Sequence, residues 1–147
     1  MYKRILIPLD GSPLAEQALP HAMALAEHFH SELVLLRVLI PLPSTVTTTE
    51  AALQRASEEA AIFAREYLDR VAAGVQELGI TVQKVIIGGR PHYQIIQYAE
   101  TNQVDLIVMS TRGQSGLSRW LMGTVSDRVV RGANVPVLMV RSRKTEP

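Results

Sequence analysis

The sequence predicts an α/β fold built around a parallel sheet, on three observations. Residues 5–9, 33–40 and 106–109 are compact, almost continuously apolar runs, the signature of strands covered on both faces. Between such runs lie longer segments whose apolar residues recur at helical spacing. Strand and helix patterns alternate along the chain, which implies right-handed crossovers and helices on both sides of the sheet.

The first run is punctuated by Pro8, Leu9, Asp10, Gly11, Ser12 and Pro13. Ser12 followed by Pro13 is a favourable N-cap and first-turn pair. Ala15, Ala18, Leu19, Ala22, Leu25, Ala26 and Phe29 then fall on one helical face. Pro20 inside that pattern removes a backbone donor and clashes with the Glu16 carbonyl, so a bend is expected there. The second strand, 33–40, is interrupted only by Arg37. Residues 41–49 are threonine-rich and are expected to be the most mobile connection. Residues 50–78 read as one helix with Leu53, Ala56, Ala60, Phe63, Tyr67, Val71, Val75 and Leu78 on one side, closed by Gly79. A β-branched strand at 81–87 leads through Gly88, Gly89, Arg90 and Pro91 into a helix carrying Ile95, Ile96 and Ala99. A strand at 105–109, a last helix at about 124–132 and a strand at 136–141 complete the order.

Bulk properties exclude several function classes. The 147 residues are 47% hydrophobic and 20% charged, ordinary for one globular domain able to bury a core. A net charge of +1 offers no concentrated basic face for nucleic acid. Arg141, Arg143 and Lys144 read as a solvated tail. The chain has no cysteine, which excludes disulfides and thiol catalysis and suits a reducing compartment. No apolar run approaches the ~18 residues of a membrane span, and the N-terminus enters a strand without a signal-peptide layout. A cytoplasmic protein is expected, with neither membrane nor nucleic acid as partner.

The stretch 106–126 carries the functional signal. A buried strand runs into small polar residues and glycines, then into Gly123, Thr124, Val125 and Ser126, which open a helix. A strand feeding a glycine-bearing loop at a helix N-terminus offers backbone N–H groups to a phosphate, and glycine lets the main chain approach it. In parallel sheets, ligands sit at the carboxyl ends of strands where the strand order reverses. The loops at 10–12 and 110–113 would flank that crevice. These observations point to a bound nucleotide.

Other chemistry is thin. Neither G-x-x-x-x-G-K-[ST] nor G-x-G-x-x-G is present. Gly113, Gln114, Ser115 and Gly116 approach a nucleophile elbow, but Leu117 stands where G-x-S-x-G needs glycine, so Ser115 reads as a loop residue. His21, His28, His30 and His92 read as surface residues, since no carboxylate or cysteine cluster accompanies them. No acid–base constellation emerges and no catalytic residue is predicted. Asp10 has two readings: a contact to ribose, base or phosphate-bound metal, or a stabiliser of the turn into the first helix. Gly113 and Gly123 likewise serve either a phosphate or only the turns. Trp120 and Leu121 read as packing residues between them.

The chain resembles a universal stress protein domain over essentially all of residues 1–147. The resemblance is carried by Ile5-Leu6-Ile7-Pro8-Leu9-Asp10-Gly11-Ser12, by Asp105-Leu106-Ile107-Val108-Met109 and by Val135-Pro136-Val137-Leu138-Met139-Val140-Arg141. The ATP-binding branch of that family has G-x-x-G, nine residues, then G-[ST]. Here Gly113, the nine residues 114–122, and Gly123-Thr124 match, while Ser110 stands at the first glycine. A serine held at positive φ there would cost on the order of 1 kcal/mol, about fivefold in affinity.

The resemblance implies a Rossmann-like, doubly wound, five-stranded sheet of order 3-2-1-4-5, of the adenine nucleotide alpha hydrolase type. It implies ATP or AMP as ligand, with or without Mg²⁺. Pro8 and Asp10 would lie at the adenosine end and Val38 beside the base, with Met109 and Ser110 flanking base and ribose. Arg112 and Gly113 would lead into a phosphate cradle completed by Gly123, Thr124, Val125 and Ser126. A homodimer through the last strand, Pro136 to Val140, is also implied, and would cover an apolar edge. The resulting expectation is a dimeric stress sensor or regulator whose ATP hydrolysis is at most slow, since no water-activating base and no Walker lysine is present. The competing expectation is a dimeric protein-interaction module of the same fold that binds no nucleotide. A nucleotidyl-transfer enzyme is a third, disfavoured because the serine–glycine-rich pyrophosphatase loop and the HIGH and KMSKS signatures are missing.

Overall fold

The computed structural model describes residues 1–44, 48–112 and 124–143. Five strands, β1 (Arg4–Pro8), β2 (Glu32–Leu39), β3 (Val82–Gly88), β4 (Leu106–Ser110) and β5 (Val137–Val140), form one sheet of order β3-β2-β1-β4-β5. Every pairing is parallel. The expected order and topology are both observed.

Strand alternation divides the core between two faces. Ile5, Ile7, Leu33, Leu35, Leu106 and Val108 pack with helices α1 (Pro13–Glu16), α2 (Leu19–Phe29) and α3 (Glu50–Gln76). Leu6, Val34, Leu36, Ile107 and Met109 pack with α4 (Pro91–Thr101) and α5 (Thr124–Gly132). Successive side chains of a strand point to opposite faces, so a run apolar at every position requires cover on both.

Pro20 does more than bend the first helical segment. The chain forms α1, turns at Gln17 and Ala18, and restarts as α2 with Pro20 in its first turn. The Gln17 and Ala18 N–H groups donate to Leu14 and Ala15, three residues back, at 3.3 and 3.2 Å. A proline that cannot sit inside a helix is accommodated at the start of one.

The expected buried face of α3 needs correction. Ala64, Leu68, Ala72 and Val75 are its buried residues, whereas Phe63 is 72% and Leu78 52% exposed. The helix has 27 residues, about 40 Å at 1.5 Å per residue. The longest strand, β2, has 8 residues, about 26 Å. The helix is longer than the sheet is tall, so its N-terminal half projects past the carboxyl ends of the strands. Thr49 caps it, accepting from Ala52 N at 3.1 Å, and Gly79 follows it at φ +78°.

At the opposite, amino end of the sheet, charge ties the strands together. Both Lys3 N and Arg4 N donate to Asp105 Oδ2 at 2.9 Å. Arg4 pairs with Glu32 at 3.1 Å and donates to the Asn102 carbonyl at 2.6 Å.

Candidate functional site

Every βα connection of a parallel sheet leaves from the carboxyl ends of the strands, and a cleft of about 690 Å³ opens there. Pro8 and Asp10 enter it from the end of β1, and Met109 to Arg112 from the end of β4. These strands are neighbours, and the chain winds outward from them in opposite directions. The end of β2 supplies Arg37, Val38 and Leu39, and Thr124, Val125 and Ser126 form the first turn of α5.

Nine of the eleven expected site residues line this one cleft: Pro8, Asp10, Val38, Met109, Ser110, Arg112, Thr124, Val125 and Ser126. The other two, Gly113 and Gly123, lie outside the described residues, as do Ser115, Trp120, Leu121, Lys144 and positions 45–47 of the connection expected to be mobile.

Each side chain is held by its local structure. Asp10 Oδ1 accepts from Ser12 N at 2.9 Å and from Ser12 Oγ at 2.6 Å, while Ser12 Oγ accepts from Ala15 N at 3.2 Å as the cap of α1. Gly11, between them, sits at φ +88°, where a side chain would be strained. Asp10 therefore builds the turn and faces the cleft at once, so the two readings of it are compatible. Ser110 is the last residue of β4, buried and paired with Val140. Among the described non-glycine residues only His30 and Gln103 have positive φ, so the backbone cost considered for Ser110 does not arise. Ser126 is buried, and its hydroxyl donates to the Thr111 carbonyl at 2.9 Å.

The cleft has two chemical characters. Leu36, Val38, Leu39, Ile95 and Met109 give it apolar walls, suited to a flat heterocycle. Ser110, Thr111, Arg112 and the N-terminus of the nine-residue α5 give it a hydroxyl-rich, electropositive side, suited to phosphate. Among the described residues, no group of three or more His, Cys, Asp or Glu side chains could hold a metal ion.

Several wall residues were not among those expected at the site. Ile40, Pro41 and Leu42 follow β2, Ser57 and Ala60 come from the projecting half of α3, Gly88 ends β3, and Pro91 and Ile95 belong to α4. The Gly88–Gly89 pair is the one signal that pointed to the last group, since any loop leaving a third parallel strand opens at the same end. Nothing in the sequence marks Ser57 or Ala60, whose position depends on where the sheet stops.

Beneath the cleft, the Tyr67 hydroxyl is buried without a well-formed hydrogen bond. Burial, followed by the neighbouring Glu16 and Asp10 carboxylates, pushes its pKa well above the usual phenol value, against a smaller opposing effect of Arg37.

Residues 1–141 match the universal stress protein family. The chain belongs to that family. A universal stress protein of Methanocaldococcus jannaschii, MJ0531, is 35% identical over 99% of this chain and 86% of its own length. The solved structure of MJ0577, a universal stress protein of the same organism, is 30% identical, covers 99% of both chains and superposes with a TM-score of 0.87. Two more distant universal stress protein structures share the fold. One, in complex with cAMP, is 23% identical over 97% of this chain and 98% of its own, with a TM-score of 0.68. The other, from Archaeoglobus fulgidus in complex with dAMP, is 20% identical over 94% and 97%, also with a TM-score of 0.68.

Proposed function

We propose that this universal stress protein binds an adenine nucleotide, ATP or AMP, in the cleft at the carboxyl ends of β1 and β4. The observation that carries the reading is the junction, in one cleft, of apolar walls with the first turn of α5 and the Ser110–Arg112 rim. A base packs against Val38, Leu39 and Met109, and Asp10 accepts from the ribose. Phosphates run toward Arg112, the Gly113–Gly123 segment and the first turn of α5 at Thr124, Val125 and Ser126, where the helix dipole favours an anion. That adenine nucleotides occupy other proteins of this fold supports the choice of base.

The chain's own residues bind and orient; among the described residues of the cleft, none is placed to activate water. Hydrolysis is therefore slow, and the protein works as a cytoplasmic sensor or regulator whose bound state is read by partners. Its assembly is a homodimer through Pro136 to Val140, where Leu138 on the edge strand β5 is exposed. Any Mg²⁺ is carried in by the phosphates.

The test is thermal unfolding with millimolar Mg-ATP, AMP and GTP. At about 100 times its dissociation constant, a ligand adds about 2.7 kcal/mol of native stability, a rise of several degrees. The expected result is a rise with adenine nucleotides and none with GTP, abolished by Gly113→Val or Gly123→Val, whose new side chains occupy the phosphate path. No rise with any adenine nucleotide would sink the reading in favour of an interaction module.

A further inference from the structure

The rim of the cleft is fastened from outside it. Ser142, two residues past the end of β5 and not a cleft residue, brings its hydroxyl to 2.6 Å from Ser110 Oγ and 3.2 Å from Thr111 Oγ1, and accepts from Arg112 N at 2.9 Å. Its own N–H donates to Thr111 Oγ1 at 3.2 Å, and Thr111 N donates to the Val140 carbonyl at 2.9 Å. Pairing between the chains leaving β4 and β5 thus continues past the sheet through hydroxyls. The next residue is clamped as well. The Gln17 side-chain amide donates to Arg143 O at 2.6 Å and accepts from Arg143 N at 2.7 Å, so the turn between α1 and α2 holds the strap in place.

The protons have one consistent arrangement. Ser110 Oγ–H donates to the Arg112 carbonyl at 2.8 Å. The hydrogen between Ser110 and Ser142 therefore comes from Ser142. Thr111 Oγ1–H then donates to Ser142 Oγ, which also accepts from Arg112 N. Ser142 Oγ gives one hydrogen and receives two, its full capacity. A saturated, half-buried hydroxyl network of this kind is sensitive to the loss of any member.

We infer that Ser142 is a positioning residue of the nucleotide cleft, and that Ser110 is its partner rather than a defective motif glycine. The latch holds the Arg112 main chain at the rim of the cleft, so the rim is ordered before the ligand arrives and less ordering is lost on binding. The inference rests on the nucleotide reading above. It predicts that restoring the family's glycine at position 110 weakens binding in this chain, because glycine cannot accept from Ser142 or donate to Arg112.

The experiment is calorimetric titration of the full chain with Mg-ATP, comparing wild type, Ser142→Ala, Ser142→Thr and Ser110→Gly, with amide exchange read at Arg112 in each. Ser142→Ala is expected to bind about tenfold more weakly and to lose protection at the Arg112 amide. Ser142→Thr, which keeps the hydroxyl, should stay within about twofold. Ser110→Gly should bind several-fold more weakly. Wild-type affinity in a folded Ser142→Ala protein, or tighter binding by Ser110→Gly, overturns the inference. An Arg112 amide still protected in Ser142→Ala overturns the latch whatever the ligand. Failure of the wild type itself to take ATP overturns the proposed function instead. Should Ser142→Ala not fold, Ser110→Gly alone decides, since it carries the opposite expectation to a restored motif.

Discussion

The two ends of the sheet spend their polar groups differently. At the amino end, Asp105 receives the main-chain N–H groups of Lys3 and Arg4, and Arg4 is engaged by Glu32 and the Asn102 carbonyl. Charges there are matched by groups of the protein, and the product is attachment of strand to strand. At the carboxyl end, hydroxyls and one carboxylate hold their own loops in shape while the cleft stays open between them. One end is closed on itself, and the other keeps its described loops shaped around a space. Stability and recognition can therefore be altered separately, by substitution at opposite ends of the same strands.

The largest effect that separates them is at the amino end. Asp105→Ala leaves two main-chain donors without their carboxylate, and should cost about 2 kcal/mol in urea unfolding. The corresponding fall in midpoint is roughly 4–8 °C. ATP affinity should be unchanged. A parallel loss of affinity would mean that the two ends are coupled through the strands.

A smaller effect sharpens the carboxyl end, where Asp10 has both a turn and a cleft to serve. Asp10→Asn keeps the oxygen that Ser12 bonds to, so stability should stay within about 0.5 kcal/mol, while ATP affinity falls several-fold. Asp10→Ala should lose a further ~1 kcal/mol with the turn. Equal stability of the two variants in denaturant titration would show that the turn does not need the side chain. Equal ATP affinity of Asp10→Asn and wild type would remove the carboxylate from the ligand's contacts.

The smallest effect lies between the two ends, at Tyr67. Its pKa is raised in the folded protein, so the neutral phenol is the form the fold favours. That contribution is fully present below the unfolded value near 10 and is lost as pH rises above it toward the folded value. Stability measured against pH should fall above pH ~10 less steeply in Tyr67→Phe than in wild type. At pH 7 the substitution should be neutral or slightly stabilising, because the hydroxyl it removes is buried without a well-formed hydrogen bond. A clear loss of stability at pH 7 would mean that the hydroxyl makes a bond to Glu16 in solution.

What the sequence could disclose divides along similar lines. Strand positions and a core on both faces of the sheet were legible because an unbroken apolar run has one physical solution, cover on both faces, while the strand order came only with the family resemblance. The cleft was legible wherever a residue sits at a strand's carboxyl end or a helix start, as Pro8, Asp10, Met109 and Thr124 do. The buried side of α3 was not, since apolar residues lie on two adjoining faces of this helix and the one that meets the sheet, Ala64, Leu68, Ala72 and Val75, is turned by one residue from the larger side chains at 63, 67 and 71. Phe63 stands one residue before buried Ala64, about 100° round the helix and on the side away from the sheet. Pro20 announced a bend, but whether a helix bends or restarts depends on the tertiary support of the next turn. Ser142 was invisible because its partners are 30 to 32 residues away and are made by hydroxyls that look like ordinary loop polarity.

The reach of α3 beyond the sheet has a further consequence, for cooperativity. From Ala64 onward the helix shares the core's fate, whereas its first turns rest on few buried neighbours and can open without unfolding the domain. A boundary between two free energies of opening therefore falls inside one continuous helix, near Phe63. Because Ser57 and Ala60 on the less supported side also wall the cleft, occupancy of the cleft adds local stability to those turns, and the boundary itself becomes ligand-dependent.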